Sequence, residues 1–582
     1  MNVSSVSQYS PTLAKATPRR MIDLKTLQPE ATFLRILGVN YVHVKTADGG
    51  DLYLTEYGVP FIRHLDPRNW YEDPWFAANR QQLPGTSTVY RVPTKPIDQH
   101  RIKSIDLVVK WSRVGQDVVL DTFTLQRNIN AEFNTPFEEF ARVEELRLGE
   151  QGPSDIRILT QKPLAIYVPP EQMQPWQTGR SKQRLLAKKA RHPGVEIDVL
   201  RSYIMLFGWI DGINAVEAFQ RCIYDTEEQK KQLEQLTVRI DKELADKGFV
   251  VADHKPTHLI LRMSDDYQVL RRRDGRIVYA LVDYELLSRT DAYEDKVRAA
   301  KRREYLVRQR DRFAHRSADQ YPDQVKPARI LDVDYVFGRA ESTSGTLWVV
   351  GNDPELFAYF LPERWRNSQQ VRLSGKSRTY YAQTKDRIHL VWKVSRVGEV
   401  PPGDLGDPEY KKLLLQGFNS PFEEVSLAIK LAQKGGNTVY PRAIYMTASP
   451  GNVSGVVQDA RRFERMCNIH SPMKLPIMPI DHDYITIWGY WRGLDDLAAV
   501  DDTMLWIPID IDGATKNGLI DERTALKIMQ RHAARLAGIG FCDTLLTPDH
   551  VLISYVPAGS IKTTPDGQIE TRQCNFEMVR EM

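Results

Sequence analysis

Regular alternation of apolar and polar side chains predicts β-strands in the first part of the chain. Alternating runs extend from Gly50 to Tyr57 and from Ser87 to Val92, and the more continuous apolar run from Ile105 to Trp111 is typical of a buried strand. Strand character returns from Leu164 to Val168 and from Ile204 to Ile210. Because strands come first and helical patterns later, the predicted fold class is α+β.

Two stretches predict the start of a helix by the same chemistry. Thr135-Pro136-Phe137-Glu138 has a later counterpart in Ser420-Pro421-Phe422-Glu423. A hydroxyl residue at the N-cap, proline at the first helical position and glutamate at the third form a capping box. We therefore expect Glu138 to cap its helix. A long polar helix is also predicted from Glu227 to Lys247.

The chain repeats itself with a long period. LVVKWSRVG, which begins at Leu107, returns as LVWKVSRVG from Leu390, an offset of 283 residues. FNTPFEE, which begins at Phe133, returns as FNSPFEE from Phe418, an offset of 285 residues. Other pairs keep the same order, among them PLAIY with PRAIY and YIMLFGWIDG with YITIWGYWRG. Two copies of one domain explain this pattern.

The repeat divides the chain into four predicted segments. These are a flexible arm over residues 1–31, a first copy over 32–290, a basic connecting helix over 291–325 and a second copy over 326–582. Within the connecting helix, Ala299, Leu306 and Phe313 lie seven residues apart. This spacing predicts that the helix docks through a narrow apolar stripe.

Composition excludes several classes of protein. A chain of 582 residues with 42% hydrophobic and 26% charged residues is neither disordered nor collagenous, and it is too long for one domain. The four cysteines form no metal-binding pattern, which favours a reducing compartment. The longest apolar run, Tyr203 to Ile210, is too short to span a membrane, and the amino terminus lacks a secretory pattern. We expect a cytoplasmic protein.

Positive charge is concentrated in short segments, although the net charge is only +4. Six cations lie between Arg180 and Arg191, three follow one another from Arg271 to Arg273, and nine lie between Lys296 and Arg316. Such runs are usually solvated helix faces. Binding of RNA or another anionic surface is kept as a minor hypothesis, for which binding should weaken steeply with salt.

Two motifs late in the first copy resemble those of protein-kinase-like phosphotransferases. Asp253-x-Lys255-Pro256-x-x-Leu-Ile-Leu is similar to their catalytic loop, and Val282-Asp283-Tyr284-Glu285 is similar to the metal-binding motif that follows it. The Asp-aromatic-Glu form is closest to the lipopolysaccharide-kinase, RIO-like and aminoglycoside or choline phosphotransferase branches. The resemblance implies two tandem bilobal domains, each with a strand-rich N-lobe and a minimal helical C-lobe.

The resemblance also implies roles for individual residues, with ATP and Mg²⁺ as cofactors. Asp253 would accept the proton of the attacking hydroxyl, and Lys255 would steady the transferring phosphoryl group. Asp283 would hold Mg²⁺. Lys110 would hold the nucleotide phosphates and pair with Glu139, because Glu138 is taken by the capping box.

Two positions of the first copy depart from the family pattern. His258 stands where the family has an asparagine that contacts a second metal, and neutral imidazole is a poor ligand for Mg²⁺. Because His550 occupies the same frame in the second copy, a structural histidine is the alternative to a metal ligand. The glycine-rich phosphate loop is reduced to Gly85.

The second copy departs further. Leu545, Thr547 and Asn575 stand where the first copy has Asp253, Lys255 and Asp283, although Lys393 persists. We therefore expect a first domain that binds Mg-ATP and transfers the γ-phosphoryl group to an unknown hydroxyl acceptor, and a second that is a pseudokinase scaffold or regulator. The alternative is a non-catalytic tandem pseudokinase that acts as an interaction scaffold.

Overall fold

The computed structural model describes most of the chain after residue 30. It covers residues 31–582 with the exception of 84–87, 98–102, 117, 119–131, 175–177, 182–183, 186–196, 199, 267, 318–319, 323, 341–342, 367, 376, 385, 405, 449–456, 493–505 and 558. The fold is mixed α+β, with extensive sheets and fewer helices. In the described part of the chain, every helix is too short or too polar to cross a membrane.

The chain separates into two compact units, Met1–Val297 and Arg298–Met582. The described strands of the first unit are β1 (Thr32–Ile36), β2 (Val39–Lys45), β3 (Asp51–Leu54), β4 (Gln81–Gln82), β5 (Val89–Pro93), β6 (Asp106–Trp111), β7 (Leu159–Thr160), β8 (Pro163–Val168), β9 (Ile204–Gly208), β10 (Ile213–Asn214), β11 (Phe249–Val251), β12 (Leu259–Leu261), β13 (Tyr279–Leu281) and β14 (Leu287–Arg289). Its helices are α1 (Ile62–Leu65), α2 (Trp75–Asn79), α3 (Pro136–Leu148), α4 (Ala215–Cys222), α5 (Thr226–Asp246) and the start of α6 (Asp291–Arg310).

An antiparallel sheet forms the centre of the first unit. Its eight strands have the order β1-β2-β3-β8-β9-β6-β5-β4. Four short strands form a second sheet in the order β10-β12-β13-β7, and β11 pairs with β14. The small sheet and the β11–β14 pair carry the loop and the turn that contain the two kinase-like motifs.

Both faces of the central sheet are covered. Side chains alternate along a strand, so Leu107 and Val109 of β6 join the core around Trp70, while Val108 joins the core around helix α3. Trp70 is fully buried, and its indole N–H donates to the carbonyl of Leu65 at 3.0 Å. The segment that contains α1 and α2 therefore covers the face opposite α3.

The second unit contains a sheet with the same connectivity. Its eight strands have the order β15-β16-β17-β21-β22-β20-β19-β18, where the bounds are β15 (Val325–Ile330), β16 (Val333–Ala340), β17 (Gly345–Val350), β18 (Gln370–Arg372), β19 (Thr379–Gln383), β20 (His389–Val394), β21 (Tyr440–Met446) and β22 (Tyr484–Gly489). The smaller sheets are β23-β25-β26 and β24-β27, formed by β23 (Ile507–Asp510), β24 (Phe541–Asp543), β25 (Val551–Tyr555), β26 (Arg572–Gln573) and β27 (Val579–Glu581). The helices that follow α6 are α7 (Pro362–Trp365), α8 (Pro408–Gln416), α9 (Pro421–Gln433), α10 (Arg461–Met466), α11 (Ile511–Lys516) and α12 (Glu522–Gly538).

One ion pair occupies the same place in both units with its charges reversed. In the first unit, Arg289 of β14 contacts Glu145 of α3 at 3.0 Å. In the second, Glu581 of β27 contacts Lys430 of α9 at 3.5 Å. The exchange of charge on both partners preserves the attraction between a helix and a short strand.

Helix α6 differs from the expected connecting helix. It ends at Arg310, so Phe313 lies beyond it and is 44% exposed. Of the predicted stripe of Ala299, Leu306 and Phe313, Leu306 is buried and Phe313 is not. The buried positions of the helix are Arg302, Tyr305, Leu306 and Gln309. Buried residues three and four apart follow the 3.6-residue period of a helix more closely than a spacing of seven does.

Several cations of the basic run that includes α6 are held in ion pairs within the second unit. Arg308 contacts Glu304 at 2.8 Å and Asp353 at 3.0 Å. Arg316 also approaches Asp353, at 3.6 Å. This part of the run is therefore partly neutralised. Of the two other basic runs, the one from Arg180 to Arg191 lies largely outside the described residues.

The predicted capping boxes are present at α3 and α9, and the first can be tested by substitution. The Thr135 hydroxyl accepts from the Glu138 N–H at 3.0 Å, and Glu138 accepts from the Thr135 N–H at 2.7 Å. We expect Thr135→Ala to lower the free energy of unfolding by about 0.5–2 kcal/mol. Thr135→Ser is the matched control, because it keeps the hydroxyl that the second unit uses at Ser420. Equal thermal stability of the two variants would contradict a role for the hydroxyl.

Candidate nucleotide site

The candidate site of the first unit is built around the buried ammonium of Lys110. Strand alternation places Lys110 on the same face of β6 as Val108, which is the face covered by helix α3. The Nζ atom lies 2.7 Å from Asp283 Oδ1, 3.1 Å from Glu139 Oε1 and 3.6 Å from Glu285 Oε2. The side chain is only 5% exposed. Three carboxylates from two distant segments thus compensate one buried cation.

Glu139 reaches the lysine from the first turn of α3. The adjacent Glu138 is held in the capping box, which fixes the start of the helix. Burial raises the pKa of Glu139 to about 7, and the nearby carboxylates of Asp283 and Glu285 add to this rise although Lys110 opposes it. Burial alone would lower the pKa of Lys110, but the three carboxylates raise it above its ordinary value. The lysine is therefore charged.

Asp283 lies in a tight turn directly after β13. Its backbone has a φ of +65°, a left-handed conformation that is uncommon for a residue with a side chain. The Asn134 side chain donates to the carbonyls of Tyr284 at 3.1 Å and Leu287 at 2.8 Å, and its backbone N–H donates to the carbonyl of Glu285 at 2.8 Å. These bonds hold the turn against the start of α3.

The Asp283 carboxylate combines charge with partial access to solvent. Its side chain is 28% exposed. Burial would raise its pKa, but Lys110 and His258 outweigh that effect and hold the pKa below its ordinary value. The group is therefore ionised at neutral pH, and carboxylate oxygen is a preferred ligand of Mg²⁺.

His258 lies beside Asp283, with 3.7 Å between Nε2 and Oδ2. Burial lowers its pKa even though the charges of Asp283 and Asp253 oppose this. The ring is therefore neutral at pH 7. Its Nδ1 atom is buried and has no hydrogen-bond partner among the residues that the structure describes.

The equivalent histidine of the second unit is fixed differently. His550 Nδ1 lies 2.8 Å from Asp543 Oδ2, and the same carboxylate accepts from Gln573 at 2.8 Å. Asp543 ends β24, and Val251 ends the corresponding strand β11 of the first unit. His550 is thus a hydrogen-bonded histidine, whereas the ring of His258 lacks that support.

Asp253 and Lys255 are adjacent in a partly exposed loop. The Lys255 ammonium donates to Asp253 Oδ2 at 2.8 Å, and the side chains are 48% and 24% exposed respectively. Both charges act on the His258 ring: Asp253 raises its pKa and Lys255 lowers it. The structure therefore gathers Lys110, Glu139, Asp283 and His258 by contact and leaves Asp253 and Lys255 near His258. Gly85 lies outside the described residues.

The second unit repeats the lysine cluster without the partly exposed aspartate. Lys393 Nζ lies 2.7 Å from Glu577 Oε1 and 3.6 Å from Glu424 Oε2, and it donates to Asn575 Oδ1 at 3.2 Å. Both glutamates are nearly inaccessible, at 4% and 1% exposure. Asn575 takes the place of Asp283, so charge compensation there comes only from buried groups.

Sequence reasoning missed two members of the cluster. Glu285 contacts Lys110 and also receives a hydrogen bond from Arg113 at 3.3 Å. The second unit repeats both, since Arg396 lies 3.9 Å from Glu577. Two repeats in the sequence could have indicated these residues. The segment SRVG returns in the second copy, and Asp283-Tyr284-Glu285 and Asn575-Phe576-Glu577 both end in glutamate.

The carboxylate of Asp283 fits a metal ion that takes most of its ligands from water and phosphate rather than from the protein. In the described part of the chain, no group of three or more His, Cys, Asp or Glu side chains is arranged to hold a metal ion. Mg²⁺ usually binds proteins through one or two carboxylates and completes its shell with water and phosphate oxygens. A single ionised, partly exposed carboxylate at Asp283 is compatible with this mode of coordination.

Comparison with known proteins adds little. No family model matches the chain, and no curated protein does. Among solved structures, a match is found to the crystal structure of the BubR1 kinase domain, with 10% identity, a TM-score of 0.21 and coverage of 68% of this chain and 83% of that one. A TM-score this low does not establish a shared fold.

The raised pKa of Glu139 predicts a pH dependence of stability. Because the folded-state pKa of about 7 lies above the ordinary value of 4.5, the folded protein holds this proton more tightly than the unfolded chain does. The contribution to the free energy of unfolding is therefore present below about pH 4.5 and is lost as the pH rises to about 7.

Glu139→Gln removes this titration and keeps two carboxylates on Lys110. We expect the thermal stability of the native chain, relative to the variant, to fall between about pH 4.5 and about pH 7 and then to level off. Differential scanning calorimetry across this range measures the effect. Burial also raises the pKa of Glu424 in the second unit to about 7. Because Glu424 is present in the native chain and in the variant, its titration cancels in the difference between them. A stability difference that does not change with pH would refute the assignment.

Proposed function

We propose that the first unit is a kinase-like nucleotide-binding domain that binds Mg-ATP. One observation carries the proposal: Lys110 is held between Glu139 of a helix and Asp283 of the turn after β13, while Asp283 stays partly exposed and ionised. Phosphoryl transfer requires positioning and neutralisation of charge, for which a fixed cation and a partly exposed, ionised carboxylate are suited.

Within this proposal, each residue has a distinct task. Lys110 would bind the phosphates and Asp283 would bind Mg²⁺, which supplies neutralisation of the phosphate charge. Glu139 would keep the lysine in place. The tight turn held by Asn134 would keep Asp283 from rotating away from the site.

We further propose that the unit transfers the γ-phosphoryl group of ATP to a hydroxyl. The acceptor oxygen forms the new bond to phosphorus as the bond to ADP breaks, and the hydroxyl proton passes to Asp253. Lys255 is already within 2.8 Å of Asp253, so its ammonium is positioned beside the proton acceptor.

The second unit would be a pseudokinase that scaffolds or regulates the first. Leu545, Thr547 and Asn575 lack the groups needed for proton transfer and metal binding. The lysine cluster of this unit supports the pseudokinase proposal, because the charge of Lys393 is matched by two buried glutamates. Its cluster stabilises the fold without a carboxylate that faces solvent.

A non-catalytic interaction scaffold is the second candidate. The observation that favours it is the burial of Lys110, which is 5% exposed and already contacts three carboxylates. In such a protein the cluster would serve stability in both units, and surfaces outside it would bind partners. The two candidates differ in whether nucleotide binds at all.

Nucleotide binding is tested by isothermal titration of the full chain with ATP, with and without Mg²⁺. We expect Asp283→Asn to weaken Mg-dependent affinity about ten- to a hundredfold, because a charge-assisted contact contributes about 1.5–3 kcal/mol. The second unit carries asparagine at this position, so the change is compatible with the fold. Asp266→Asn, at an exposed residue, is the control. Unchanged affinity in Asp283→Asn would remove Asp283 from the proposed site, and absence of binding in the native chain would favour the scaffold.

Catalysis is tested separately through Asp253. Asp253→Asn should leave Mg-ATP affinity close to that of the native chain and lower the rate of ADP formation about 100-fold or more, because a positioned general base contributes about this factor. The readout is ADP release with and without added hydroxyl compounds. ADP formation at the native rate in the variant would show that Asp253 is not the proton acceptor.

A further inference from the structure

A cavity of about 610 Å³ lies in the second unit, apart from the lysine cluster. It is bounded by the turn between β15 and β16, by α9 and α10, by the end of α8 and by β27. Three leucines, Leu331, Leu415 and Leu427, form part of its wall. Its most prominent feature is a set of five cationic side chains: Lys430, Arg461, Arg462, Arg465 and Arg580.

Positive charge in the cavity exceeds negative charge. Three carboxylates line it, those of Asp332, Glu423 and Glu581. A fourth, Asp459, contacts Arg461 at 2.6 Å, which leaves an excess of one positive charge over these four carboxylates. Glu423 is shared, since its Oε1 atom lies 2.6 Å from Arg462 and 3.4 Å from Arg465. Its other oxygen accepts the capping bonds from Ser420. One carboxylate is therefore shared by two arginines and neutralises only one of their two charges.

Arg580 contributes most to the imbalance. Its guanidinium donates to the side-chain oxygen of Asn419 and to the backbone carbonyls of Gly417 and Val579, the latter two at 2.7 Å, and it contacts no carboxylate in the described part of the chain. Burial and the adjacent charge of Arg462 lower its pKa to about 10. The carboxylates of Glu423 and Asp543 oppose this lowering, but Glu423 is already shared between two other arginines.

The first unit shows that the fold does not require two of these cations. Strands β14 and β27 pair with β11 and β24 in the same register, which places Ser288 at the position of Arg580. Glu145 likewise stands at the position of Lys430, in the reversed ion pair. The same helix and strand pack in the first unit without either cation. Lys430 serves the ion pair with Glu581, whereas Arg580 places a half-buried cation where the first unit needs only serine.

We propose that this cavity binds the dianionic phosphate group of a phosphate monoester. The excess of positive charge attracts an anion, and the planar guanidinium groups of arginine suit phosphate oxygens. The cavity is larger than a free phosphate ion needs, and the leucines offer contact to an apolar group attached to the phosphate. This site does not depend on nucleotide binding in the first unit.

The test is isothermal titration of the full chain with inorganic phosphate and with phenyl phosphate, at constant ionic strength. We expect both to bind and Arg580→Ser to weaken binding at least about tenfold, the factor that corresponds to loss of one charged contact. Tighter binding of phenyl phosphate would identify an organic monoester as the ligand, and equal binding would identify the free ion. Failure of both to bind at millimolar concentration would overturn the proposal.

Two further variants keep the result interpretable. Arg465→Ala removes a cation whose side chain is 67% exposed, so it should weaken binding severalfold without loss of the fold. Arg523→Ser, on an exposed part of α12, should leave binding unchanged. If Arg580→Ser does not fold, Arg465→Ala decides the question. Binding of the native strength in Arg465→Ala and in folded Arg580→Ser would place the phosphate elsewhere and refute the site.

Discussion

Burial of one ammonium group constrains the centre of each unit. A lysine on the helix-facing side of a central strand cannot be buried without carboxylates close to it, because an uncompensated charge is very costly in the interior. Lys110 obtains its carboxylates from the start of α3 and from the turn after β13. Helix, sheet and turn must therefore be in register before the lysine is satisfied, which couples three separate parts of the chain.

The second unit separates this structural requirement from chemistry. Lys393 is satisfied by Glu424 and Glu577, so the cluster survives with asparagine in place of Asp283. The exposed aspartate is thus not needed for burial of the lysine. Its presence in one unit alone is what distinguishes a cluster that reaches solvent from a purely internal network.

Sequence alone predicted the parts that depend on local chemistry. The capping box at Thr135, the strand at β6 and the fold class follow from neighbouring residues. The contact with Glu285 was missed because it depends on how a turn folds back across the sheet. The end of α6 was missed because helical propensity extends past Arg310, whereas burial does not. The bond between His550 and Asp543 depends on residue pairs that no local pattern reveals.

The reversed ion pair has a consequence for how the two halves can exchange sequence. Transfer of helix α9 into the first unit without β27 would bring Lys430 beside Arg289, and the opposite transfer would bring Glu145 beside Glu581. Each hybrid would set two like charges against one another where the parents have attraction. Each helix is therefore matched to its own strand, and an exchange of sequence between the halves keeps the attraction only if helix and strand move together.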